Sequence, residues 1–224
     1  MQSINEIKEI LSHCPMDALP AQMQEWEGDS RKGVQNVLTS FRKKYERHLQ
    51  EQARLEEILT YERGCWAAGY ALVAGIDEVG RGPLAGPVVA AAVILPQECK
   101  IEGVNDSKRL SAKKREELYD VILEKAVAYG IGIVSNERID EINILQATYE
   151  AMREALSQLS PHAEYILADA VTIPRISTPQ RGIIKGDAKS MSIGAASIVA
   201  KVYRDRLMES YDAAYPGYGF AANK

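Results

Sequence analysis

A chain of 224 residues, 46% hydrophobic and 26% charged, suits one globular domain of moderate size, or one domain with a small appendage. Its net charge of −4 argues against nucleic-acid binding unless charge is unevenly spread or acidic side chains gather divalent cations. Cys14, Cys65 and Cys99 are too few and too scattered for a disulfide framework or a zinc site. Without a signal peptide or a membrane-length apolar run, we expect a cytoplasmic protein.

The first 68 residues are polar and helical in character. Ser3 is a suitable N-cap for a short helix over 4–11, and apolar residues three and four apart predict a long helix over about 32–63. Residues 31–54 contain seven basic and two acidic side chains, a local charge of +5. This charge indicates either a solvated helix face or a patch that binds nucleic-acid phosphates.

From about residue 70, the chain alternates strand-like apolar runs with helical segments. Strands are predicted over 71–79, 87–95, 126–135 and 165–169. Helices are predicted over 112–125, 144–159 and 192–211. Residues 88–95 are apolar on both faces, which is typical of a central strand. The pattern predicts a mixed sheet flanked by helices, with a boundary between Ala68 and Tyr70.

Two adjacent carboxylates, Asp77 and Glu78, follow an apolar strand and precede the loop Gly80-Arg81-Gly82. Acidic side chains in an apolar strand are costly unless they are paired with cations. Neighbouring strand side chains point to opposite faces, so both acids serve one site only if the strand bends or ends there. The nearby glycines allow such a bend. A polar turn would explain the two acids alone, but not the attached loop.

Further acids stand where other elements end or begin. Asp169 ends an apolar strand, Asp187 precedes a helix of small residues, and Asp205 lies later on that helix. Turn formation, helix capping and a surface ion pair would account for each of them singly. Together, in one α/β domain, such acids indicate a site at strand ends suited to Mg²⁺ or Mn²⁺. The three histidines are isolated, so a histidine-activated nucleophile has no support.

The stretch 75–88, Gly-Ile-Asp-Glu-Val-Gly-Arg-Gly-Pro-Leu-Ala-Gly-Pro-Val, resembles the active-site motif of type 2 ribonucleases H, the bacterial ribonuclease HII family. Segments 105–108, 185–187 and 195–205 match further motifs of that family in the same order. The resemblance covers about residues 70 to 224. Residues 1–68 resemble the helical N-terminal extension of some members.

The resemblance implies an α/β fold with a ribonuclease H-like mixed sheet over 70–224 and a small all-helical extension over 1–69. It implies an endonuclease that hydrolyses the RNA strand of RNA–DNA hybrids and cuts at ribonucleotides embedded in DNA, leaving 3′-hydroxyl and 5′-phosphate ends. The implied catalytic residues, which would hold two divalent ions about 4 Å apart, are Asp77, Glu78, Asp169 and Asp187. The implied substrate-binding residues are Gly80, Arg81, Gly82, Lys108 and Lys185.

The sequence departs from the family pattern at two places. Members usually continue past Lys224 into a segment with a substrate-recognising tyrosine, so the resemblance predicts a chain shortened at its C-terminus. Asp169 lies in Ala-Asp-Ala where many members have Asp-Gly. Three alternatives stay open at this point: a type 3 ribonuclease H, a hybrid-binding form with little catalysis, and a DEDD-type exonuclease. We expect a monomer that acts on nucleic acid and has no membrane partner.

Overall fold

The computed structural model describes residues 2–224, which divide into two compact units at Arg54 and Leu55. The first unit contains α1 (Ile4–His13), α2 (Leu19–Gln24) and most of α3 (Lys32–Glu57). Ser3 and Glu6 form a capping box at the start of α1, which confirms the predicted N-cap. The buried side chains of this unit form a core of their own, which includes Ile7, Leu11, Leu19, Trp26, Val34 and Leu38.

The predicted long helix is wrong at its C-terminal end. Helix α3 ends at Glu57, and a separate helix α4 (Thr60–Ala67) follows. Between them, Ile58 and Leu59 are buried in the core of the second unit, which interrupts the helix. Residues 55–69 therefore pack within the second unit. The family-based division at residue 69 stays a prediction.

The second unit is built on a five-stranded mixed sheet. Its strands are β1 (Val73–Val79), β2 (Val88–Ile94), β3 (Ala128–Val134), β4 (Tyr165–Asp169) and β5 (Gln180–Ile183), in the spatial order β3-β2-β1-β4-β5. Strands β1, β2 and β3 pair antiparallel, whereas β4 and β5 run parallel to β1. The first four confirm the predicted strands. The short β5 was missed because its sequence, Gln-Arg-Gly-Ile, has no apolar alternation.

Helices cover both faces of this sheet, as the sequence predicted. The helices are α5 (Ala112–Lys125), α6 (Asn136–Ile142), α7 (Ile144–Ser157) and α8 (Met191–Ala214), with 3₁₀ turns at Ser107–Arg109, Gly186–Ala188 and Phe220–Ala222. Helices α5 and α8 share one core with β2, and α7 shares another. Every residue of β2 is buried, as expected of a central strand. No helix of the described residues has the length and apolarity to cross a membrane.

Glycines of the sheet let other backbone segments approach closely, and the approaches at β1 and β3 involve the covering helices. A Cβ atom on Gly75 of β1 would lie 2.0 Å from the backbone carbon of Ser192, at the start of α8. A Cβ atom on Gly132 of β3 would lie 1.9 Å from the carbonyl oxygen of Ala151 in α7. Both strands therefore need glycine, because a side chain would displace the covering helix.

The outer edge of β3 is hydrogen-bonded by side chains rather than by another strand. The Gln158 side chain accepts from the backbone N–H of Ile131 at 3.1 Å and donates to its carbonyl at 2.8 Å. Glu154 accepts from the backbone N–H of Ile133 at 3.0 Å. These bonds satisfy backbone groups that an edge strand usually leaves to water.

Candidate active site

Asp77 of β1 and Asp169, the last residue of β4, stand side by side on two neighbouring parallel strands. The last paired residues of β1 and β4 include Ile76 and Ala168, and each of the two acids comes directly after one of them. Parallel strands place paired side chains on the same face, and here that face carries α8, because Gly75 lies against Ser192. The register thus brings two carboxylates together beneath the start of α8.

Asp187 reaches the same place from the 3₁₀ turn that precedes α8. The backbone N–H of Gly186 donates to Oδ1 of Asp169 at 2.7 Å, which ties this turn to the end of β4. Lys185 adopts a left-handed conformation (φ 58°) that reverses the chain into the turn. A Cβ atom on Gly186 would meet Ile193 at 2.6 Å, so the turn is packed tightly against α8.

A cavity of about 330 Å³ collects most of the residues that the sequence singled out. All four carboxylates line it, and so do four of the five expected substrate-binding residues: Gly80, Arg81, Gly82 and Lys108. Lys185 is not among the lining residues, although it lies two residues before Asp187. Ser107, Ser197, Lys201 and Lys224 also line the cavity.

Burial and mutual repulsion perturb the acids of this cavity. Burial, followed by the charges of Glu78 and Asp169, raises the pKa of Asp77 well above its ordinary value, although a hydrogen bond from Ser197 opposes the shift. Burial and the charge of Asp169 likewise raise the pKa of Asp187. Raised carboxylate pKa values in one cavity are typical of a functional site, because a nearby cation would relieve them.

Glu78 is only half satisfied by its neighbours. Its Oε1 contacts Nη1 of Arg81 at 3.1 Å, whereas Oε2 is buried and has no hydrogen-bond partner among the described residues. In the part of the chain that the structure describes, no three acidic, histidine or cysteine side chains already form a metal-binding cluster. An unpartnered buried oxygen beside repelling carboxylates fits a hard divalent cation, whose ligands are oxygen atoms.

Comparison with known proteins decides the family. The family model described as ribonuclease HII matches residues 74–224, and the model of the ribonuclease HII N-terminal domain matches residues 3–66. The chain belongs to the ribonuclease HII family. Members of this family are divalent-metal-dependent endonucleases that hydrolyse the RNA of RNA–DNA hybrids. Because both parts of the chain match this family, the type 3 alternative is not favoured.

Named relatives agree with this assignment. A ribonuclease HII of Lachnoclostridium phytofermentans is 59% identical over 196 residues, which are 88% of this chain and 76% of that protein. A ribonuclease HII of Clostridioides difficile is 50% identical over 223 residues, or 100% of this chain and 88% of that protein. The crystal structure of ribonuclease H2 from Pyrococcus horikoshii is 32% identical with a TM-score of 0.59, and the match covers 66% of this chain and 79% of that one. These comparisons give no support for the expected shortening at Lys224.

Several residues in or near this cavity were not assigned a role from sequence. The hydroxyl of Ser197 donates to Asp77, and the hydroxyl of Ser107 lies 3.0 Å from that of Ser197. Asp205, which the sequence left open between a site acid and a surface ion pair, is buried and is paired with Lys201 at 2.7 Å and with Arg115 at 3.6 Å. The signal for Ser197 was the small-residue helix, but its pattern alone does not show which serine of that helix faces the strand.

The Gly-Arg-Gly loop is held by a buried arginine of α8. Arg204 is fully buried, and its guanidinium donates to the carbonyls of Pro87 and Ala85, each at 2.9 Å. Gly80 (φ 102°) and Gly86 (φ 86°) adopt conformations that disfavour other residues, and a Cβ atom on Gly80 would lie 2.6 Å from Nε of Arg204. The loop therefore fits closely around one side chain.

Proposed function

We propose that this cavity is the catalytic centre for hydrolysis of the RNA strand of RNA–DNA hybrids, including at ribonucleotides embedded in DNA. The observation that carries the proposal is the gathering of four carboxylates, with raised pKa values at two of them, in one cavity beside the Gly-Arg-Gly loop. Asp77, Glu78, Asp169 and Asp187 are the proposed ligands of two divalent ions, Mg²⁺ or Mn²⁺.

Each part of the chain then has a defined task. When bound, the ions supply Lewis acidity for a water nucleophile and for the leaving 3′-oxygen, giving 3′-hydroxyl and 5′-phosphate ends. Asp77 and Asp187 must be ionised to act as ligands, so metal binding displaces the protons that their raised pKa values favour. The hydroxyl of Ser197, which lines the same cavity, would orient Asp77, as partners of metal ligands commonly do.

The loop from Gly80 to Gly82 is the proposed reader of the 2′-hydroxyl. No atom outside its chain neighbours lies within 4 Å of a Cβ built on Gly82, so a sugar edge can approach the backbone there. A 2′-hydroxyl is the group that distinguishes RNA from DNA at a given position. Arg81, Lys108 and Lys185 would add positive charge for the substrate phosphates, which offsets the acidity of the carboxylates.

The partners of the proposed enzyme follow from this chemistry. They are RNA–DNA hybrids and DNA that contains ribonucleotides, which places the enzyme in DNA replication and repair. A monomeric state and a cytoplasmic location stay predictions.

A cleavage assay tests the proposal directly. Asp77→Asn and Asp187→Asn are each expected to lower the rate on a labelled hybrid with Mn²⁺ by at least about a hundredfold, because each removes a charged ligand. Asp120→Asn, at an exposed acid of α5, is the matched control and should cleave normally. A duplex with one ribonucleotide should be cut once, at that position. Normal turnover by Asp77→Asn would contradict the assignment of the site.

A further inference from the structure

Glu62 of α4 is a buried carboxylate that lies outside the cavity, and only 3% of its surface is exposed. Its Oε1 accepts hydrogen bonds from the hydroxyls of Ser190 and Ser192, each at 2.6 Å, and from the backbone N–H of Ser192 at 2.9 Å. The backbone N–H of Met191 donates to the carbonyl of Ile58 at 3.1 Å. The first turn of α8 is thus bound on one side by this short segment around α4.

That first turn continues directly from the 3₁₀ turn that carries Asp187. The backbone N–H of Ser190 donates to the carbonyl of Gly186 at 2.8 Å, and Gly186 in turn donates to Asp169. A Cβ atom on Gly194 would lie 2.8 Å from the carbonyl oxygen of Asp187, so α8 packs directly on the turn. A shift of the first turn of α8 would therefore move Asp187.

The opposite side of the same turn lies against β1. Ser192 touches the strand at Gly75, where a Cβ atom would come within 2.0 Å of its backbone, two residues before Asp77. Ser192 is therefore held between Glu62 on one side and the strand of Asp77 on the other. The carboxylate of Glu62 is placed to set the distance between α8 and β1.

We propose that Glu62 is a positioning residue for the metal site, because its hold on Ser190 and Ser192 fixes Asp187 relative to Asp77 and Asp169. The inference rests on the proposed function. Hydrogen bonds to a carboxylate are among the stronger ones in proteins, and these are buried. Without them, the donors of both serines lose their shared acceptor, and the first turn of α8 is free to shift and carry Asp187 with it. Sites of this kind tolerate displacements of only about 0.5 Å.

Calorimetric titration of the full chain with Mn²⁺, without nucleic acid, tests the inference. Glu62→Ala is expected to weaken Mn²⁺ binding by about tenfold, as loss of a residue that orients metal ligands commonly does. Glu62→Gln keeps an oxygen acceptor for the serines and should bind Mn²⁺ within about twofold of the wild type. Cleavage by Glu62→Ala should fall at limiting Mn²⁺ and recover at excess Mn²⁺, because the ligands themselves are intact.

Glu154→Ala is the matched control, since Glu154 also anchors a backbone N–H but does so at the far edge of the sheet. It should lower the melting temperature and leave Mn²⁺ affinity unchanged. If Glu62→Ala does not fold, the same titration is made with the double variant Ser190→Ala, Ser192→Ala, which removes the same hydroxyl contacts. The double variant is expected to show the same loss of Mn²⁺ affinity. Wild-type Mn²⁺ affinity in the folded variant overturns the inference, even if its melting temperature falls. Normal cleavage by Asp77→Asn would instead overturn the proposed function.

Discussion

Arg81 pairs with Glu78 at 3.1 Å, and this contact occupies one oxygen of a carboxylate whose other oxygen is buried and unpartnered. The arginine is 41% exposed at its side chain, whereas the glutamate is 14% exposed. Arg81 thus supplies a partly exposed positive charge beside the oxygen atoms with which Glu78 would bind a divalent cation. We therefore expect a divalent cation and Arg81 to compete for this carboxylate.

Arg81→Gln should therefore bind Mn²⁺ more tightly and its substrate more weakly. A partly exposed ion pair is worth at most about 1 kcal/mol, so the gain in metal affinity should not exceed about fivefold. Calorimetry gives the Mn²⁺ affinity, and steady-state cleavage gives the KM for a hybrid. An unchanged KM would remove Arg81 from the substrate-binding surface, and weaker Mn²⁺ binding would contradict the competition.

In the metal-free protein, the contribution of Asp77 and Asp187 to stability should fall as the pH rises above about 4. Burial raises the pKa of Asp77 and of Asp187 above the ordinary value of 3.8, so the folded protein retains protons that the unfolded chain has released. Their stabilising contribution is full below pH 3.8 and is lost as the pH rises through the folded pKa values. Other acids, such as Glu98 and Asp29, have lowered pKa values and act in the opposite direction.

The contribution of Asp77 is isolated by comparison with Asp77→Asn. Urea unfolding in EDTA over pH 4 to about 8 should show a difference in stability that grows with pH in favour of the asparagine variant. Saturating Mn²⁺ should remove that advantage, because the ion stabilises only the wild-type carboxylate. A difference independent of pH would show that Asp77 ionises as easily in the folded chain as in the unfolded one.

Arg204→Lys tests how the Gly-Arg-Gly loop is held. A lysine cannot satisfy the carbonyls of both Pro87 and Ala85, so the free energy of unfolding should fall by about 2 to 4 kcal/mol. The kcat/KM on a duplex with one ribonucleotide should fall, while Mn²⁺ affinity stays unchanged, because the carboxylates do not depend on this contact. Weakened metal binding would show instead that the arginine supports the whole site.

Arg206→Lys is the control for that experiment on the same helix. Arg206 is exposed, pairs with Glu116 and lies 4.5 Å from the ring centroid of Tyr119. Loss of such surface contacts should cost less than about 1 kcal/mol. If both variants lose a similar free energy of unfolding, the buried hydrogen bonds of Arg204 contribute no more to stability than the surface contacts of Arg206.

The basic segment of α3 should contribute to the salt dependence of hybrid binding. Arg31, Arg42 and Arg54 are each paired with an acid of the same unit, which reduces the charge they can offer to phosphates. The middle of α3 also carries three basic residues without such an ion pair among those given above, and we replace them by glutamine: Lys43, Lys44 and Arg47. The plot of the logarithm of the hybrid-binding constant against the logarithm of salt concentration should then become less steep, by about 2 to 3 in slope.

That slope is read from fluorescence anisotropy of a labelled hybrid over a range of salt concentrations. The control is the double variant Lys8→Gln, Lys113→Gln, whose lysines lie outside this segment. An unchanged slope in the triple variant would assign α3 a structural role.

Deletions meant to probe the extension should end at Arg54, because Leu55 and the residues after it belong to the core of the second unit.

Much of the second unit could be predicted because its sequence carries strong local signals. The apolar run of β2 and the acids at the ends of β1 and β4 gave the correct strands. The parallel pairing of β1 with β4, which sets Asp77 beside Asp169, is a long-range contact that periodicity does not encode. The grouping of Asp77 and Asp169 in one site was predicted instead from the resemblance of the sequence motifs to those of the ribonuclease HII family. The roles of the individual site residues stay predictions until variants are assayed.

Other features could not be predicted from the sequence, because they depend on single charged side chains in polar segments. Glu62 lies in a helix that reads as polar and exposed, yet its carboxylate is buried against Ser190 and Ser192. Arg204 likewise reads as a surface residue next to Asp205, but it is fully buried. In both cases, hydrogen bonds to distant residues make burial of a charged group tolerable, and such partners are not visible in a local pattern.

The bonds that Gln158 and Glu154 make along β3 have a consequence for the solution behaviour of the chain. An open strand edge is a template on which a foreign strand can add, and the longest exposed edge of this sheet would otherwise be that template. With Ile131 and Ile133 already engaged by side chains of the same molecule, an incoming peptide would first have to displace them. The molecule thereby carries its own protection against edge-to-edge aggregation.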